Sequence, residues 1–291
     1  MAPRLVKPRT AFVLAGGAAL GAMQVGMLRA LYERGIVPDV LVGTSAGALN
    51  AAFVASRPQT VTTANQLARA WGGISRDEIF PMAIRTLLRG VSSRHDHLVP
   101  DHGLRGVVRR HLQLEALEQA TIPLHLLTFD VLGGREVLLS RGPALDAVVA
   151  AASIPGVLPP VRWGDRHLVD GGVVNNTPIS HAVELGAQRV YVLPTSAGPS
   201  PLERPHRGAV DAAVHALSLL VGGRLELDIA RYAGEVELIV LPAVNSRRVQ
   251  PTDFSQSRRL IADTFAGARA ALAAPAAPRR AATSLPAELA A

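Results

Sequence analysis

The chain has 291 residues, a formal net charge of +7 and 48% hydrophobic residues, which is ample material for a large buried core. The absence of cysteine excludes a disulfide scaffold, a thiolate zinc site and cysteine catalysis, and fits a reducing cytoplasm. Arginine carries the positive charge, Lys7 being the only lysine, so anionic membrane surfaces suit it; an aromatic fraction of 4% and scattered arginine pairs make nucleic acid an unexpected partner.

Residues 1–9 read as an N-terminal extension. Arg4, Lys7 and Arg9 then precede a charge-free stretch, Thr10 to Leu28, with the outline of a signal peptide or membrane span. Gly16, Gly17, Gly21, Gln24 and Gly26 interrupt it, however. The pattern predicts a strand at 10–15, a glycine-rich turn and a buried helix at about 19–34, the core of a fold and not a targeting segment. Such a turn aims several backbone N–H groups into one cavity, which suits an oxyanion or a phosphate. It does not make a dinucleotide fingerprint, because position 18 is alanine and Asp39 stands at the beginning of the second strand, not its end.

Val40-Leu41-Val42 is a second buried strand. It gives way to Gly43-Thr44-Ser45-Ala46-Gly47 and a run of small residues, so a G-x-S-x-G sits on a strand-to-helix turn. This is the pattern of a nucleophile elbow: glycines two residues either side of Ser45 let neighbouring backbone approach, and the serine stands at a helix N-terminus that favours developing negative charge. Residues 57–118 are richer in charge and broken by Pro58, Pro81 and Pro100, compatible both with a cap over the site and with ordinary surface helices. Within them, His95, Asp96, His97, Asp101 and His102 are metal-ligand residue types, but their spacing matches no zincin pattern and predicts a solvated loop.

Leu124–Phe129 and Glu136–Ser140, joined across Gly133-Gly134, predict an antiparallel hairpin. Leu168-Val169-Asp170-Gly171-Gly172-Val173 places a carboxylate at a strand end before two flexible residues. His181, eleven residues on, would complete a Ser…Asp…His order but falls on a helix starting near Pro178. Further strands are expected at 188–193 and 236–241. His206–Tyr232 contains an amphipathic helix whose Leu217, Leu219, Leu220 and Leu225 are expected to pack on the sheet, in preference to docking on a membrane. Together these elements predict an α/β three-layer sandwich, a mainly parallel central sheet with helices on both faces. One domain spans 10–272, and the Ala-, Pro- and Arg-rich residues 273–291 form a disordered tail.

The glycine turn, the serine elbow and the Asp-Gly-Gly, in that order, resemble the patatin-like phospholipase family. Ala151 to Pro160 is similar to the family's Ala-Ser-rich, proline-ended block, and Asp253-Phe254-Ser255 with Arg259-Leu260-Ile261 to its C-terminal end. The resemblance implies an enzyme that hydrolyses lipid acyl esters with a Ser45–Asp170 dyad and no cofactor or metal. The lack of cysteine and of a targeting segment predicts a cytoplasmic location, and the arginine charge permits peripheral contact with anionic membranes. It places the oxyanion hole at Gly16, Gly17, Ala18 and Ala19, the elbow glycines at Gly43 and Gly47, and a supporting turn at Gly171 and Gly172. Two positions depart from the family turn. Its third glycine is Ala18, and its basic residue is Leu20, which removes one contact to a phosphate head group. These departures raise the competing reading of a catalytically weak lipid- or acyl-binding regulator.

Overall fold

The structure, a computed structural model, describes residues 8–80, 97–196, 209–244 and 249–274. Most of the expected tail, whose first residue Ala273 is instead the last of a helix, most of the N-terminal extension, and His95 and Asp96 therefore lie outside the described residues. The strands are β1 (Thr10–Leu14), β2 (Val40–Thr44), β3 (Leu124–Asp130), β4 (Arg135–Leu139), β5 (Val161–Trp163), β6 (Arg166–Asp170), β7 (Arg189–Leu193) and β8 (Glu237–Val240). They form one eight-stranded sheet whose body, β3–β2–β1–β7–β8, is parallel; β4, β5 and β6 add the antiparallel part.

Nine helices cover it among the described residues: α1 (Ala22–Glu33), α2 (Ala46–Ala55), α3 (Val61–Gly73), α4 (Arg76–Ile79), α5 (His102–His111), α6 (Ala144–Ala151), α7 (Ile179–Glu184), α8 (Ala209–Tyr232) and α9 (Ser257–Ala273). Every residue of β1 and β2 is buried, as the continuous apolar runs of a two-sided parallel sheet require. The period-2 alternation then separates two cores. Phe12, Leu14 and Leu41 face the larger one, with α1, α2, α3 and α6. Ala11, Val13, Val40 and Val42 face the smaller one, where Ile179 and Ala182 of α7 and Tyr232 of α8 pack. The charge-free stretch from Thr10 is thus a central strand, a turn and a buried helix.

Two elements differ from expectation. β5, three residues behind Pro159-Pro160, was too short to show a periodicity. Along α8, Leu225 and Ile229 pack against the smaller core, whereas Leu219 (41%) and Leu220 (71%) are exposed, correcting the inward placement of those two. The side chain of Leu217 lies outside the description.

One feature of the pairing positions the site. β4 occupies one edge of β3 along Leu126–Asp130. The opposite edge is shared: β2 pairs with it up to Thr44↔Leu127, and β6, running the other way, takes over from Asp130 down to Thr128↔Asp170. β2 and β6 therefore meet head-on along a single strand. The residue after Thr44 is Ser45, and the last residue of β6 is Asp170.

Candidate active site

Ser45 leaves β2 with φ +53°, a left-handed conformation that non-glycine residues rarely adopt, at a cost of about 1–3 kcal/mol. The surrounding packing holds it there. Its N–H donates to the Ala151 carbonyl (2.8 Å), and its own carbonyl accepts from Ala48 (2.9 Å) to start α2. Gly47 brings α2 onto the end of β1 so closely that a Cβ would collide with the Leu14 carbonyl. The side chain consequently stands at the N-terminus of α2, 7% exposed.

The glycine turn lies across from it. Gly16 is pinned from two sides. Its N–H donates to the Asn176 carbonyl (3.1 Å), while its carbonyl accepts from Asn176 Nδ2 (3.2 Å) and from Thr195 Oγ1. A Cβ on Gly16 would run into the Asn176 side chain and approach Ser45 Cβ to 2.9 Å, so the turn and the elbow are in direct contact. Of the four N–H groups expected to form an oxyanion hole, two are spent within the fold: Gly16 as above, and Ala19 on the Pro251 carbonyl (2.8 Å). Gly17, Ala18 and, at the start of α2, Ala46 thus have N–H groups left without an acceptor among the described residues.

Ala18 has φ +48°, so alanine adopts the left-handed conformation that the family's glycine would take freely. The strain is about 1–2 kcal/mol. Ala18→Gly relieves it but adds unfolded-state entropy of about 0.5–1 kcal/mol, nearly cancelling the gain. The melting temperature is therefore expected to move by less than about 4 °C, with kcat unchanged, and calorimetry with steady-state kinetics checks both. Leu20 is packed in the core, so this turn presents no cation.

Asp170 is 5% exposed, and its Oδ1 accepts from the Gly172 N–H (2.8 Å). Burial raises its carboxyl pKa to about 6, against the opposing pull of the Ser45 hydroxyl and the Gly172 N–H. The carboxyl group thus lies in contact with the serine, with a pKa close to neutral pH. Beside Ser45 and Ala18 opens a cavity of about 80 Å³ walled by α2, α3, α4, α5 and α6, with Leu67, Val107 and Leu158 among its lining. Apart from Ser45, Asn50 and His111 the lining is apolar. Roughly six waters would fit but would find few partners, so hydrocarbon fills the space better. The segment 57–118 supplies much of this wall through α3, α4 and α5; residues 81–96 of it are outside the description.

Beneath the turn lies a buried amide network. Asn50 Nδ2 donates to the Gly21 carbonyl (2.9 Å) and to Gln24 Oε1 (2.8 Å), and Asn50 Oδ1 accepts from Trp71 Nε1 (2.7 Å). Gln24 Nε2 in turn donates to the carbonyls of Ala15 (2.7 Å) and Leu193 (2.9 Å), the ends of β1 and β7. Sequence reasoning missed Asn50, Trp71, Asn176 and Thr195; a lone amide in an apolar helix, Gln24, was the available signal for the network.

His181 is not brought to Ser45 and Asp170. Its Nε2 lies 2.6 Å from Glu136 and its Nδ1 3.1 Å from Glu184, and the hydrogen bond to Glu136 raises its pKa. His181→Ala is expected to retain most activity, whereas a loss as large as that of Ser45→Ala would restore it as a third catalytic member. Of the metal-ligand candidates that are described, Asp101 is held by Arg105 (2.5 Å), and no group of three ligand residues occurs among the described residues.

The patatin-like phospholipase family model matches residues 12–183, and the chain belongs to this family of lipid hydrolases. An uncharacterised NTE-family protein of Mycobacterium tuberculosis is 32% identical over 185 residues, covering 61% of this chain and 29% of that protein. A lysophospholipase of Mycosarcoma maydis is 28% identical over 193 residues (66% and 10%), and the neuropathy target esterase of Drosophila melanogaster 32% over 184 (62% and 12%). The chain thus spans less than a third of the length of these relatives. The crystal structure of VipD from Legionella pneumophila aligns at a TM-score of 0.49 with 15% identity, covering 92% of this chain and 67% of that one. No helix among the described residues is long and apolar enough to cross a membrane.

Proposed function

We propose that this protein is a serine lipid acyl hydrolase, of the phospholipase A, lysophospholipase or esterase type, working through a Ser45–Asp170 dyad. The observation that carries the reading is the head-on meeting of β2 and β6 on one edge of β3, which sets Ser45 against a buried carboxylate beside an apolar cavity. Ser45 Oγ attacks the ester carbonyl while Asp170 takes its proton. The N–H groups of Gly17, Ala18 and Ala46 hold the oxyanion, and the acyl chain lies in the cavity. The proton passes to the departing alcohol, leaving an acyl-enzyme. Asp170 then deprotonates the water that releases the fatty acid.

A fluorophosphonate probe tests this. A covalent adduct on Ser45, absent from Ser45→Ala, is expected; silence of the wild-type protein would instead support the acyl-binding regulator. Peripheral docking to anionic bilayers is part of the same proposal. Val131 (50%), Leu132 (74%), Val173 (44%) and Val174 (36%) are exposed on segments that follow β3 and Asp170, in a chain whose formal net charge is +7. Flotation with anionic vesicles is expected to weaken as salt rises, since exposed charges are screened beyond about 10 Å at 0.1 M. Binding indifferent to lipid charge and ionic strength would refute the electrostatic contribution.

A further inference from the structure

Next to the apolar cavity lies a second, wider depression of about 480 Å³, lined by Arg57, Arg69, Arg110, Gln66, Gln113 and His111, with no carboxylate among the described residues of its lining. The two spaces share a wall: Phe53, Ala70 and His111 line both. One side of that single layer is hydrocarbon-like and continuous with Ser45. The other presents three guanidinium groups. We propose that this pair of spaces binds a single-chain anionic amphiphile, a long-chain fatty acid, with its carboxylate on the arginines and its chain through the shared wall into the apolar cavity.

The arginines are placed for such a ligand. Arg57 lies over the Phe53 ring (3.8 Å to its centroid). It donates to the carbonyls of Phe53 (2.8 Å) and His111 (2.9 Å) and to Ser56 Oγ (2.8 Å), all uncharged acceptors. Its charge is fixed in position but not neutralised. Arg69, exposed on α3, has no ion pair among the described residues. Arg110 alone is partnered, by Glu78 at 2.5 Å. Burial first, and then Arg110 and Arg57 against the opposing Glu78, lower the His111 pKa. A guanidinium fork matches a carboxylate in two parallel hydrogen bonds, and the apolar side offers the chain an environment that a free inorganic anion cannot use. Passage of the chain requires Phe53 and His111, whose ring centroids lie 6.5 Å apart in the shared wall, to separate. A fatty acid is also what the proposed hydrolysis releases. That identity rests on the hydrolase reading, and the consequence would be product inhibition competitive with the ester, whose acyl chain needs the same cavity.

Calorimetric titration of laurate into the full-length Ser45→Ala protein tests the site without turnover. Laurate is expected to bind, dodecyltrimethylammonium (equal chain, opposite charge) about tenfold more weakly or worse, and acetate or inorganic phosphate not measurably. Arg69→Gln, at an exposed side chain with no ion pair among the described residues, is expected to weaken laurate about tenfold, the usual consequence of losing one charge-assisted contact. Glu78→Gln frees Arg110 and is expected to leave binding equal or tighter. Failure of laurate to bind, equal binding by Arg69→Gln, phosphate binding as tight as laurate, or weakening by Glu78→Gln would each overturn the proposal. If laurate binds with this arginine dependence while the wild-type protein resists the fluorophosphonate, the hydrolase reading falls and the site stands. If labelling succeeds and laurate fails, the reverse holds.

Discussion

Asp170→Asn is expected to lower ester hydrolysis by roughly 10²–10⁴-fold, the range over which a positioned general base contributes. The amide keeps the shape of the side chain and an oxygen to accept the Gly172 N–H, but it cannot take the serine proton. In the wild-type protein kcat/KM should rise with pH as a group of pKa about 6 loses its proton, and the residual activity of the variant should lack that limb. Stability should move the other way. The carboxyl pKa is about 6 in the folded state against 3.8 for the free group, so between these values the folded chain keeps a proton that the unfolded chain has lost. The group's contribution is thus fully present below about pH 4 and lost as pH rises through about 6, a cost of about 3 kcal/mol at pH 7 by linkage. Asparagine carries no such cost. Asp170→Asn should melt higher than wild type at pH 7 and lose that advantage toward pH 4. A variant that is inactive and less stable at both pH values would mean that Asp170 is structural, and the dyad would be withdrawn. Strained or desolvated groups retained at reaction centres commonly show this opposition between stability and activity.

The features legible in the sequence are those that local backbone chemistry dictates. The elbow shows itself because Ser45 at φ +53° needs a neighbour as small as Gly47, and the paired glycines after Asp170 mark the end of β6. The parallel sheet is legible because a strand buried on both faces leaves an unbroken apolar run, as β1 does. What escaped notice was tertiary. Pro251, which consumes the Ala19 N–H, and Thr195, which pins Gly16, come from segments more than 170 residues beyond the turn; no spacing rule relates them. The head-on junction of β2 and β6 is likewise a property of a shared edge, not of either strand. At α8 the leucine pattern overstated burial, because apolar periodicity gives a helix a preferred face without saying how much of its length reaches the sheet.

The amide network under the turn gives the second large effect, this time on stability. Asn50→Leu conserves approximate volume at a site where Asn50 is fully buried, and it removes three hydrogen bonds at once. The Gly21 carbonyl, Gln24 Oε1 and Trp71 Nε1 are then left without partners in an apolar surrounding. Each orphaned group costs about 1–3 kcal/mol, so the sum, about 3–6 kcal/mol after relaxation, is a large fraction of a typical domain's stability. A fall in melting temperature of about 10 °C or more is expected. Lost packing would give a similar fall, and a double-mutant cycle separates the two causes. Trp71→Phe alone removes the donor and orphans Asn50 Oδ1; on the Asn50→Leu background it removes a group that is already orphaned. The tryptophan substitution should therefore cost distinctly less in the double variant than alone. Additive losses would show that the network contributes only volume. The expected coupling would show that the turn facing Ser45 is held from below by polar contacts, through Gly21 on one side and the ends of β1 and β7 on the other.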